Sequence, residues 1–250
     1  MRAETVMLET LMHELRTMGN PVFTDTTVVR YRTDGYCMVM ANGSLEGIAD
    51  EVIEREIAYH WSINRSFEWK LFSNDLPEDM IDHLIAHNFV VGPEEVVCGV
   101  DLATFEPNAD ATIRVEKVTT EEQLIHFRTV AEVVFGRDYS FTTGVLRDCI
   151  AEGSEAEVGF VAYDGEVPVS IGRLDSRPGA TFGGLYTGGT LSGWRGKGFY
   201  RAVVAARASY AWKAGLKYLW VDALPTSLPI LQRLGFEALV ETWPCDFTVT

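Results

Sequence analysis

The sequence predicts an α/β protein of the α+β kind: a mixed, mostly antiparallel sheet flanked by helices, organised as two tandem halves. Three observations predict this. Strand-like runs meet at Asp34-Gly35 and at Asp164-Gly165, residue pairs that suit the tight turn of an antiparallel hairpin. Past Thr190 the order becomes helix, strand, helix, strand, and a crossover helix between two strands makes them parallel neighbours. Glu106 to Asp110, polar and carrying Pro107, follows the end of a strand and reads as a connection, so the halves are placed at 1–106 and 111–250.

In the first half, Val6, Met7, Leu8, Leu11, Met12 and Leu15 recur at helical spacing before the stop Gly19-Asn20-Pro21. Thr26 to Arg32 and Tyr36 to Met40 form a hairpin, Leu45 to Tyr59 a polar helix and Phe67 to Phe72 a strand. Pro77 to His87 follows as a short helix and Val96 to Leu102 as a strand. The second half begins with a strand at Ile113 to Lys117. Two helices follow, from Thr119-Thr120-Glu121-Glu122 to about Phe135 and from Thr142 to Glu152. Val158 to Tyr163, Val167 to Arg173 and Phe182 to Thr190 make a three-stranded meander. Then come helix Phe199 to Lys213 closed by Gly215, strand Tyr218 to Ala223, helix Pro225 to Leu234 closed by Gly235, and a long strand from Phe236. Leu76-Pro77 through Asn88-Phe89 parallels Leu224-Pro225 through Gly235-Phe236, a faint internal repeat.

Of 250 residues, 47% are hydrophobic and 23% charged, the balance of an ordinary globular chain. At this length folding buries roughly 70 to 75% of the unfolded surface, so no metal or disulfide staple is required. Cys37, Cys98, Cys149 and Cys245 stand far apart, without metal-ligand or redox spacing, and suit a reducing cytosol. Met1 to Thr5 lacks a signal-peptide core, and no apolar run approaches the ~18 residues of a membrane helix. A cytoplasmic protein without membrane contact is expected. The net charge of −15 excludes a general nucleic-acid binder. Up to position 108 there are 7 basic and 19 acidic residues, net −12, and beyond it 14 and 17, net −3. A polyanionic ligand therefore belongs to the second half.

Thr190 to Arg201 ends a strand and opens a helix. The first amides of a helix lack intrahelical partners and face the positive end of its dipole, so they suit a phosphate. Gly196 and Gly198 let the backbone approach closely, while Arg195, Lys197 and Arg201 add positive charge. Two familiar phosphate loops do not fit. Aligned on Gly196-Lys197, a P-loop would need glycine at Leu191 and a hydroxyl at Gly198, and the dinucleotide fingerprint would need glycine at Arg201.

Trp194-Arg195-Gly196-Lys197-Gly198-Phe199-Tyr200, with its long helix, the strand after it and Ser227 to Gly235-Phe236, resembles the GNAT superfamily of acyl-CoA-dependent N-acetyltransferases over about Ile113 to Thr250. The family loop reads [Q/R]-x-x-G-x-[G/A]. Arg195, Gly196, Lys197 and Gly198 match its first four positions and Tyr200 departs from the last. The resemblance implies acetyl-CoA as cosubstrate and no metal. It implies loop amides from Arg195 through Phe199, Tyr200 and Arg201 on the CoA pyrophosphate, main-chain groups of Gly188, Gly189 and Thr190 on the pantetheine arm, and Ser227 beside the cofactor. It also implies that the strand after the helix diverges and leaves a gap for the thioester. The first half looks like a second, degenerate unit of the same kind. It has no basic Gly-rich loop, and Leu45 to Tyr59 carries five carboxylates, so no CoA is expected there.

Transfer to an amine needs a neutral nucleophile, a polarised thioester and a proton for the thiolate. The family's tyrosine acid falls on Leu231 and its asparagine on Leu224. Asp222, closing an apolar strand, is the base candidate, with a structural role as the alternative. Tyr186 is a proton donor or a packing residue. Cys245 reads as a core thiol, His126 as a helix-surface histidine, and Asp138 and Tyr139 as a polar loop or a substrate edge. The activity expected is direct transfer from acetyl-CoA to a small-molecule or peptide amine in a ternary complex. The alternative is a CoA-binding sensor or interaction module with little or no turnover. The oligomeric state is left open, a homodimer included.

Overall fold

The structure, a computed structural model, describes residues 3–18, 20–33, 35–107 and 109–249. Gly19 of the expected helix stop, Asp34 of the first hairpin turn and Asn108 of the expected boundary lie outside the described residues. The chain forms two compact units. One gathers the chain up to Cys98 with Asp222–Ile230 and the segment from Ala238, and the other gathers Gly99–Val221 with Leu231–Glu237.

The first unit opens with α1 (Ala3–Thr17), β1 (Phe23–Thr24), β2 (Val28–Arg32), β3 (Cys37–Ala41), α2 (Ala49–Ser62), β4 (Phe67–Phe72), α3 (Met80–Ala86), β5 (Val90–Val91) and the start of β6 (Glu95–Asp101), which passes to the second unit at Gly99. β2 and β3 are the expected hairpin, and α2 crosses over so that β4 runs parallel to β3, Val39 beside Trp69. The chain's last strand completes this sheet: Thr242 to Phe247 runs antiparallel to Phe72 to Phe67. Alternate residues of a strand face one side. Phe67, Trp69 and Leu71 are thereby buried with Val52, Ile53, Leu84, Phe89 and Phe247 in one apolar core.

The second unit contains β7 (Arg114–Lys117), α4 (Glu121–Phe135), α5 (Ser140–Glu152), β8 (Glu157–Asp164), β9 (Val167–Asp175), β10 (Phe182–Thr190), a 3-10 turn (Ser192–Trp194) and α6 (Phe199–Lys213). Most of β11 (Tyr218–Ala223) and part of α7 (Leu228–Arg233) belong to it, ahead of β12 (Glu237–Phe247). β7, β8, β9 and β10 pair antiparallel in succession, and β10 pairs parallel with β11 as the crossover helix demands. α4 begins at a capping box in which the Thr120 hydroxyl accepts from the Gln123 amide while the Gln123 side chain accepts from Thr120, and it ends at Gly136 with φ +67°. Phe127, Val130, Leu146, Val161 and Ile171 form the core between α4, α5 and the sheet.

Three helices are shorter or displaced relative to the sequence reading. The polar helix starts at Ala49 instead of Leu45, because Gly47 takes φ +75° and the Ile48 amide turns back to the Leu45 carbonyl; it continues to Ser62. The helix from Pro77 starts at Met80, after a turn closed by the Met80 amide on the Pro77 carbonyl. The helix from Pro225 starts at Leu228, since the amides of Ser227 and Leu228 both turn onto the Leu224 carbonyl at 2.9 Å. The two-residue strands β1 and β5 are too short to carry a periodic signal. Among the described residues, no helix is long and apolar enough to cross a membrane.

Candidate functional site

β10 is irregular where the site was expected. Phe182, Gly183 and Gly184 pair with Tyr218, Leu219 and Trp220, and the two strands then part. On the other edge, Tyr186 pairs with Arg173, the next registered pair is Gly189 with Ile171, and Thr187 takes φ +50° between them. Such a bulge bends its strand and takes residues out of the ladder. Thr187 and Gly188 have no registered pair on β9. The divergence expected from the sequence is that of β10 from β11, whose registered pairs end at Gly184 with Trp220.

After Thr190 the 3-10 turn carries the chain to Arg195, and Gly196 and Gly198 take φ +76° and +91°, values that a β-carbon disfavours. Gly198 is the N-cap of α6. No side chain caps it, and its carbonyl accepts the Ala202 amide at 3.0 Å. A β-carbon at Gly196 would meet nothing within 4 Å, so this turn of the loop is open. Arg195, Lys197 and Arg201 are exposed. Arg195 Nε donates to the Thr190 carbonyl at 3.1 Å, tying the loop to the end of β10. An uncapped helix start, open glycines and three exposed cations fit a pyrophosphate.

Tyr200 does not cover this cradle. Its ring turns inward against Gly188, where a β-carbon would lie 3.2 Å from Cε2, and its hydroxyl is in hydrogen-bonding contact with Arg207. Burial raises the Tyr200 pKa, and the Arg207 charge opposes that rise.

Tyr186 lies on β10 where the strands part. Its ring folds over Gly184 and meets Trp220 edge to face at 5.8 Å, with the Arg173 guanidinium 4.9 Å from the ring centroid. Arg173 Nη1 in turn lies 2.8 Å from Glu157 Oε2, and Arg177 Nη2 lies 2.7 Å from Asp175 Oδ2. Burial lifts Glu157 to a pKa of about 7 in spite of Arg173. Sequence reasoning missed this group. Its members sit at alternate positions of neighbouring strands, and only the register brings Glu157 opposite Asp175 and Arg173 opposite Tyr186.

Gly188, Gly189, Thr190, the loop and Tyr186 thus share the second unit. Asp222 and Ser227 belong to the first. There Lys70 Nζ lies 2.8 Å from Asp222 Oδ2, while the buried Asp222 Oδ1 has no hydrogen-bond partner among the described residues. Ser227 Oγ donates to the Leu224 carbonyl at 3.1 Å. Leu231 is fully buried.

The remaining candidates have structural partners. Asp138 pairs with Arg128 at 2.9 Å and accepts the Ser140 amide at the start of α5, while Tyr139 is buried in the core. His126 Nδ1 lies 3.1 Å from the Tyr163 hydroxyl. Burial pushes the thiol of Cys245 up to about 12 and that of Cys98 to about 11, as suits core thiols. Among the described residues, no group of three or more His, Cys, Asp or Glu is placed to hold a metal ion.

No family model and no curated protein sequence matches the chain. Solved structures do match its fold. A GCN5-related N-acetyltransferase from Kribbella flavida superposes with a TM-score of 0.74 at 14% identity, over 100% of this chain and 97% of that one. A conserved protein of unknown function from Staphylococcus epidermidis gives 0.71 at 12% identity, over 98% and 100%. A tandem GNAT protein from the clavulanic acid biosynthesis pathway gives 0.60 at 11%, over 88% and 77%. At these identities the likeness is one of fold, and the chain has the GNAT acetyltransferase fold.

Proposed function

We propose that the chain is an N-acetyltransferase that binds acetyl-CoA on the second unit and passes the acetyl group directly to an amine. The observation that carries this reading is the Arg195 to Tyr200 loop, with two positive-φ glycines opening α6 after a strand that is bulged at Thr187 and Gly188. In this reading the amides from Gly196 to Arg201, with the Arg195, Lys197 and Arg201 side chains, hold the pyrophosphate. Gly188, Gly189 and Thr190 offer main-chain groups to the pantetheine arm, as an added strand does. Bound this way, acetyl-CoA supplies an activated acyl group, and the protein contributes position and charge.

Tyr186 is assigned to the reacting end of the site, held by Arg173 on one side and Trp220 on the other. Asp222, on the first unit, remains the base candidate proposed from the sequence; Lys70 occupies Oδ2, and Oδ1 has no hydrogen-bond partner among the described residues. Ser227, its hydroxyl engaged with Leu224, is assigned to the cofactor only through its neighbourhood in sequence. The first half, in this reading, is a degenerate copy without CoA. Glu46, Asp50 and Glu51 surround the start of α2, where the other half carries cations. The acceptor is an amine, small or peptidic, and the acidic chain favours a cationic one.

A second reading, a CoA-binding module with little turnover, is favoured by the Lys70 ion pair, which engages the base candidate, and by the buried apolar Leu231. Titration with acetyl-CoA, followed by thiol release across an amine panel, tests both. Binding with turnover supports the transferase, binding without turnover the module, and no binding contradicts both.

A further inference from the structure

Arg207 has surroundings that neither the fold nor the proposed cofactor loop explains. It is 1% exposed. Among the described residues it forms no ion pair: Nη1 donates to the carbonyls of Arg173 at 3.2 Å and Tyr186 at 3.4 Å, Nε to that of Val203 at 3.4 Å, and the remaining contact is the Tyr200 hydroxyl. A cation buried without an anion is costly, and carbonyls repay only part of that cost.

The fold is nevertheless built around it. A β-carbon at Gly172 would lie 2.7 Å from the Arg207 Cζ, and one at Gly188 would lie 3.5 Å from Nη2 and 3.7 Å from the Tyr200 hydroxyl. β9 presents a glycine where a β-carbon would collide with Arg207, and β10 presents one where a β-carbon would press on the Tyr200 ring, 3.2 Å from Cε2. Tyr200 and Arg207 stand seven residues apart on α6, two turns, and so share one face of the helix. Burial pulls the Arg207 pKa down to about 10, so the group is still charged at neutral pH.

We propose that Tyr200 is the acid of the acyl transfer, giving its proton to the sulfur of the departing CoA, and that the buried guanidinium of Arg207 stabilises the tyrosinate left behind. This inference rests on the acetyl-CoA reading above. The amine nitrogen bonds to the acetyl carbon, the carbon–sulfur bond breaks with its electron pair on sulfur, and the Tyr200 proton completes the thiol. The proton lost by the attacking amine returns to the tyrosinate through solvent, so the balance closes without a further reactant. During turnover Arg207 has the anion that it lacks at rest. The Tyr200 ring lies against Gly188, which has no registered pair on β9 and begins the segment to which the pantetheine arm is assigned. Arg207 also grips the Tyr186 carbonyl at the edge of the bulge, so acid and strand are fixed by one side chain.

The test compares the wild type with Tyr200→Phe in two measurements. Calorimetry with CoA and with desulfo-CoA reads a contact to sulfur without needing an acceptor. The wild type should prefer CoA, and Tyr200→Phe should bind the two alike. Thiol release from acetyl-CoA, with the best amine of a panel, should fall roughly 100-fold in Tyr200→Phe while KM for acetyl-CoA changes less than about threefold. Arg207→Lys, which keeps the charge, should retain more of the rate than Arg207→Met. An unchanged CoA preference, or thiol release within about twofold of wild type, overturns the proposal. A wild type that binds neither ligand overturns the acetyl-CoA reading itself, which is a different result from a wild type that binds both and a Tyr200→Phe variant that matches it.

Discussion

Lys70 Nζ lies 2.8 Å from Asp222 Oδ2, joining residues 152 positions apart in sequence. Burial opposes the Lys70 charge, but the carboxylates of Asp222, Glu68 and Glu95 together outweigh it and raise the Lys70 pKa. Breaking a buried pair from one side costs about 3 kcal/mol, because it strands the other charge, whereas apolar replacement of both is often close to neutral. Lys70→Met and Asp222→Leu should each lower unfolding stability in urea by about 2 to 4 kcal/mol, and the double variant should recover most of that loss. Additive losses would show that the pair is not coupled.

The proposed pyrophosphate cradle depends on backbone that only glycine adopts easily. Gly198 has φ +91° and a β-carbon there would approach Ile113 Cδ1 to 3.4 Å, so strain, not collision, is the main penalty. Gly198→Ala should cost about 1 to 2 kcal/mol at the loop and weaken acetyl-CoA binding about 10-fold in calorimetry, with the far-ultraviolet dichroism unchanged. Affinity equal to wild type would place the cofactor elsewhere.

Gly172 makes a different prediction. A β-carbon would stand 2.7 Å from Arg207 Cζ and 2.8 Å from Val203 Cγ1, both in a packed interior. Overpacking of this kind costs about 1 to 3 kcal/mol, so Gly172→Ala should lower the midpoint of thermal unfolding by several degrees. Gly165→Ala serves as the comparison, because at that position φ is +58° and nothing lies within 4 Å. It should show only the smaller cost of backbone strain.

Glu157 sets a pH dependence. Burial lifts its pKa from the ordinary 4.5 to about 7. A carboxyl that holds its proton more tightly when folded stabilises the fold below its unfolded pKa, and that contribution is lost as pH rises through the folded value. The wild type should therefore lose stability between pH 4.5 and about 7 from this group, and Glu157→Gln should flatten that part of the profile. Asp75, raised to about 6 by burial in the first unit, acts in both proteins and cancels in the difference. Parallel profiles from denaturant titrations at pH 5 and 8 would contradict the assignment.

Backbone features were the most legible in the sequence. β4, β10, β11 and α6 fall where residue type predicts them, because alternation, the glycines of the loop and the Gly215 stop are local signals. Helix starts near Leu45, Pro77 and Pro225 were less legible, since a turn and a first helical turn share residue chemistry and differ only in where one amide points. The positive φ of Gly196 and Gly198 was legible too, because the two glycines stand in a loop between a strand and a helix. What could not be read were the pairings made across strands. Nothing near Arg207 in sequence marks Gly172 as the residue that gives it room, and nothing near Asp222 marks Lys70 as its partner. In the sequence Tyr200 is only a departure from the last loop position, and its inward turn appears only with Gly188 and Arg207 in place.

Calorimetric titration of acetyl-CoA into the wild-type chain tests whether the Arg195 to Tyr200 loop holds the cofactor for transfer. One site per chain is expected, with micromolar affinity, about −8 kcal/mol, weakening with added salt as phosphate contacts do and lost in large part in Arg195→Ala/Lys197→Ala. No heat of binding, or binding indifferent both to salt and to that double substitution, would contradict it.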